Sequence, residues 1–117
     1  MNKKLRSVVF LVSATVLPVN ANSLDLLSDY ANCYYVGMNT QGSELAGQAV
    51  VSMLELQKLQ LAELNGSESS SYSDVQASIL LLSVPEVYVE AKSKINRMSH
   101  LDKLSMVSGC KELLGVD

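Results

Sequence analysis

Two cysteines, one histidine, two spaced pairs of carboxylates and a cluster of tyrosines are the residues of this chain that could do chemistry. Cys33 and Cys110 could form an intramolecular disulfide, an intermolecular bridge or two free thiols. A C-x-x-C pair is absent, so thioredoxin-type exchange has no basis here. His100 stands alone, and any Ser-His-Asp or Cys-His arrangement would have to use it. The chain contains no G-x-S-x-G elbow and no H-E-x-x-H run. Asp25/Asp29 and Glu86/Glu90 are each four residues apart, which puts each pair on one face of a helix. Paired carboxylates can hold a metal or share acid–base work, but only where further ligands converge. No clustering of His, Cys, Asp and Glu along the sequence offers them. A solvated face, with Asp25 and Glu86 near positive helix ends, accounts for both pairs. The expectation is a protein without catalytic residues, without a bound metal and without a cofactor.

Tyr30, Tyr34 and Tyr35 surround Cys33. Tyrosine joins a large apolar ring to a polar tip, and so serves both cores and contact surfaces. Tyr30 and Tyr34 share the expected core side of a helix; Tyr35 points elsewhere and is the better surface candidate.

The environment of these groups is set by the first 21 residues. Lys3, Lys4 and Arg6 precede an apolar run from Ser7 to Leu17, followed by Pro18 and Val19-Asn20-Ala21. This is the pattern of a cleaved secretory signal peptide of bacterial type, with the mature chain starting near Asn22. Residues 22–117 then form one domain, delivered to the periplasm or the medium. In that oxidising space an even pair of thiols is a disulfide, here Cys33–Cys110. The leader holds three of the nine basic residues and none of the twelve acids. The mature chain is therefore acidic, six bases against twelve acids, which disfavours nucleic acid and anionic lipid as partners. No later apolar run is long enough to span a bilayer.

The elements that must position these groups read as helices. Leu24, Leu27, Ala31, Tyr34 and Met38 step by three and four, with Asn22 or Ser23 as a cap and Gly37, Asn39 and Gly42 marking the end. Ser43 can cap a second helix, whose stripe runs through Leu45, Ala49, Met53, Leu56 and Gln60 until Asn65-Gly66 stops it. Residues 66–73 form a polar, flexible connector. Ser73 and Gln76 match a capping box for a short helix using Val75, Ile79 and Leu82. Pro85 suits the first position of a fourth helix, with Val87, Ala91, Ile95 and Met98 inward. Ser99 offers a cap for a fifth, carrying Leu101, Leu104, Val107, Leu113 and Leu114, while Gly109 and Gly115 loosen its end. A single long helix from Pro85 to about Leu114 is the alternative. The expected fold is all-α, a small bundle of four or five helices stapled by one disulfide.

Charge divides unevenly along this bundle. Residues 22–90 contain nine acids and only Lys58, whereas Lys92, Lys94 and Arg97 make a small basic patch. A rigid acidic helical surface suits a basic protein partner, with Tyr35, Asp25, Asp29, Glu86 and Glu90 as candidate contacts. The expected function is an exported, non-catalytic binding protein, of the inhibitor or immunity type, directed at a secreted or cell-wall-active protein. The alternative is a periplasmic chaperone or stress protein exposing apolar helix faces, using the second helix and Met53, Met98 and Met106. An enzyme built on His100 is the weaker option. A homodimer is compatible with the broad apolar stripe.

Overall fold

The computed structural model describes residues 21–40 and 43–116. The expected signal peptide lies outside the described residues, apart from Ala21. So do the side chains of the expected caps Asn22, Ser23 and Ser43, and Gly42.

The described chain is a bundle of five α-helices with one disulfide: α1 Ala21–Thr40, α2 Ser43–Asn65, α3 Asp74–Leu82, α4 Pro85–Asn96 and α5 His100–Leu114. Local chemistry accounts for most of the boundaries. Gly66 ends α2 with φ 64°, and the Ser67 N–H donates to the Ala62 carbonyl at 3.0 Å. That closes the helix as a left-handed glycine cap does. The connector is more ordered than its composition implies. Ser69–Ser71 form a 3-10 turn, and the Tyr72 hydroxyl meets Asn65 Nδ2 at 3.0 Å and Ser67 Oγ at 2.7 Å. At Ser73 the capping box is complete: Gln76 N donates to Ser73 Oγ, and Ser73 N donates to Gln76 Oε1. Pro85 opens α4, where its missing N–H costs nothing. Ser99 breaks the following stretch, accepting a hydrogen bond from Asp102 N at 3.1 Å, so α4 and α5 are separate helices. Gly115 does not loosen α5; at φ 70° it locks the end, with Val116 N donating to the Lys111 carbonyl at 2.9 Å.

α1 is the central helix, packed against α2, α4 and α5. α2 also packs on α3 and α5. One core cluster joins Cys33 and Val36 of α1 to Leu45 and Ala49 of α2, Ile95 of α4, and Val107, Cys110 and Leu114 of α5. A second joins Leu27 and Ala31 to Met53, Val87 and Ala91. The disulfide ties the first helix to the last across 77 residues, with Cα atoms 5.5 Å apart. Both cysteines are buried, so the link sits inside the core.

Some apolar steps read as core are outside. Leu24 and Met38 are exposed; Cys33, Val36 and Gly37 take the inward positions on α1. On α3, Val75, Ile79 and Leu82 all face solvent, and Ala77 is the buried residue. On α5, Leu101 and Leu104 are exposed, and Leu113 is 40% exposed. On α1 Leu27 and Ala31 of the same stripe are buried, as are Val107 and Leu114 on α5; on α3 the regular spacing does not say which face meets the bundle. Gly37 is likewise a packing residue within α1. A Cβ there would lie 2.8 Å from Ala46 N, so this glycine sets how closely α1 and α2 approach.

Candidate functional site

The acidic pairs are exposed on neighbouring helices, Asp25 and Asp29 on α1 and Glu86 and Glu90 on α4. Glu86 lies in the first turn of α4, where the helix dipole explains it. Asp25 does not fit that explanation, because the first turn of α1 contains no acid. The surroundings of the pairs also differ. Lys94 follows Glu90 by four residues and Arg97 follows Lys94 by three, so cations share the outer face of α4 with its acids. The described part of α1 has no basic residue at all.

Lys58, the one cation between residues 22 and 90, is already engaged. Its Nζ lies 2.7 Å from Asp74 Oδ1 and 3.1 Å from Glu55 Oε2. Hydrogen bonds that it donates, first to Asp74 and then to Glu55, hold the Lys58 ammonium above its ordinary pKa. Among the described residues no ion pair reaches Asp25, Asp29, Glu86 or Glu90. The acidic surface is thus left uncompensated where α1 carries it.

Asp29 stands at the rim of a groove between α1 and α5. The groove has a volume of about 240 Å³ and is lined by Asp29, Asn32, Cys33, Met106, Gly109, Cys110 and Leu113. Its floor is the disulfide, its wall is apolar, and Gly109 leaves open space where a side chain would otherwise project. The Cys33–Cys110 link fixes the two walls to each other covalently. This arrangement can accept an apolar side chain and place a cation beside the Asp29 carboxylate.

Tyr35 is not the free surface anchor its position implied. It is half-buried, stacks edge-to-face on Tyr34 with ring centroids 4.9 Å apart, and packs against both core clusters. With Tyr34, Tyr88, Met53 and Leu81 it lines a second, smaller hollow of about 150 Å³. Burial, then the neighbouring Tyr34 and Tyr88, raise the Tyr35 phenol above its usual pKa. Tyr30 and Tyr34 are also half-buried and packed on the core.

His100 is the first residue of α5 and is exposed. Among the described residues no three His, Cys, Asp or Glu side chains converge to hold a metal ion. No helix among them is long and apolar enough to cross a membrane. Gln57 was missed by the sequence reading: it is 1% exposed, and its Oε1 has no hydrogen-bond partner among the described residues. Its place four residues after Met53, on the inward stripe, was the available signal.

Compared with known proteins, the chain matches no family model, no curated protein and no solved structure.

Proposed function

We propose that this chain is an exported, non-catalytic binding protein of the inhibitor or immunity type, acting on a basic secreted or cell-wall-active protein. The contact is the α1–α5 groove with Asp29 at its rim, together with Asp25 one helical turn before it. One observation carries the reading: an apolar groove floored by the disulfide opens beside exposed carboxylates that no cation among the described residues pairs with. Such a pairing of a fixed hollow with unspent charge favours a protruding apolar side chain flanked by lysine or arginine. Rigidity matters because a preformed groove loses little entropy on binding.

The chaperone alternative draws less support. Leu45, Ala49 and Met53 of α2 are buried and Met98 packs against the core, so much of the stripe invoked for adaptable binding serves folding, although Val51, Leu59 and Leu64 of α2 stay exposed.

The test is comparative capture from envelope and secreted fractions by the oxidised protein and by an Asp25→Lys/Asp29→Lys variant. The expected result is a basic protein retained by the first and lost by the second, whose activity the unaltered chain suppresses. The same proteins retained equally by both would refute the assignment of the surface.

A further inference from the structure

We propose that the outer face of α3 and α4 is the interface of a two-fold homodimer, covered in solution by a second copy of this chain. The proposal is independent of the α1–α5 groove, with which it shares no residue.

The apolar part of the face is large for a small bundle. Val75, Ile79, Leu82 and Val89 are 68, 65, 68 and 61% exposed. The first three step by four and three along α3, and Val89 follows Leu82 by seven across the Pro85 break. Summed over the two helices these side chains present on the order of 400 Å² of apolar surface, in the range of the largest patch on a small protein, which often serves a function. That is roughly half of the ~800 Å² each partner contributes to a standard interface, leaving the rest to a polar rim.

The charge pattern names the occupant. Along one face of α4, Glu86 and Glu90 are followed by Lys94 and Arg97, acids in the first half and bases in the second. Arg97 donates to Ser93 Oγ at 2.8 Å, which keeps its guanidinium beside the line Val89, Ser93, Arg97. Among the described residues none of the four charges is in an ion pair within the chain, although Glu90 and Lys94 are suitably spaced. A second α4 laid antiparallel sets Glu86 and Glu90 of each copy against Lys94 and Arg97 of the other. A two-fold axis produces both sets of contacts at once. A wholly basic partner would satisfy the acids and repel the bases, and a parallel copy would oppose like charges.

Sedimentation velocity on the oxidised protein, produced with its own leader in an exporting host, decides the matter. The expected species is a dimer. Ile79→Asp is expected to give a monomer with unchanged helical circular dichroism. Glu90→Lys and Lys94→Glu are each expected to weaken association about tenfold, and the double exchange to recover it, because swapping both signs restores complementarity. A monomeric unaltered protein, even one that seats a foreign protein on α3, overturns the proposal. So does a dimer that survives Ile79→Asp, or a double exchange no better than either single change.

Discussion

Two glycines in long helices illustrate how position decides what a residue contributes. Gly37 lies inside α1 with Ala46 N 2.8 Å and Leu45 Cβ 3.1 Å from where a Cβ would sit. Gly109 lies inside α5 with nothing within 4 Å. Gly37→Ala is expected to destabilise the protein by roughly 1–3 kcal/mol through overpacking, although alanine is the better helix former. Gly109→Ala is expected to stabilise it by up to about 1 kcal/mol. Urea denaturation of the two variants checks both signs. The sequence read Gly37 as marking the end of α1 and Gly109 as loosening the end of α5, and it could not show their different roles, since the close approach of α1 and α2 is a tertiary fact. Tyr35 gives the pH dependence at this scale. Its folded pKa lies above the unfolded value of 10.0 because burial disfavours the phenolate. Its contribution to stability is therefore complete below that value and is lost as pH rises through the folded pKa. Lys58, also raised, acts in the same direction. Thermal melts across the alkaline range should show falling stability, and Tyr35→Phe should flatten part of that fall.

The ends of the helices were the most legible elements. Ser73 with Gln76, Pro85, Ser99 and the Asn65-Gly66 stop each act through a few covalently adjacent atoms, so their meaning survives without knowledge of the fold. Ser99→Ala is expected to cost about 1 kcal/mol and to fray the start of α5, read as lost amide protection at Asp102. The faces were less legible. On α2 the stripe through Leu45, Ala49 and Met53 is buried as its spacing implied. On α3 an equally regular set, Val75, Ile79 and Leu82, is exposed, while Ala77 is buried and Leu81 packs against the second core cluster. Regular spacing shows that a helix has an apolar side; it does not show that the chain itself covers that side. The candidate site suffered from the same limit. Asp29 and the two cysteines were singled out separately, but the groove that joins them with Met106 and Leu113 exists only once α5 lies on α1.

For the molecule as a whole, the covalent link between α1 and α5 organises both stability and the proposed binding. A bridge spanning 77 residues restricts the unfolded chain over most of its described length. Replacing it by Cys33→Ala/Cys110→Ala is expected to lower stability by about 4 kcal/mol in the chain-entropy view, measured by chemical denaturation under otherwise equal conditions. The same change should loosen the groove, since its two walls would then be held by packing alone. The acidic imbalance acts at this scale too. With Lys58 committed to Glu55 and Asp74, the carboxylates on α1 remain for the proposed basic partner, and any steering they provide is expected to weaken as salt is added. The most direct measurement is a calorimetric titration of the captured basic protein with the oxidised chain, repeated with Asp29→Lys and at raised salt. An affinity that falls at least about tenfold in both cases is the expected result. An affinity indifferent to both would contradict the assignment of the α1–α5 groove as the binding surface.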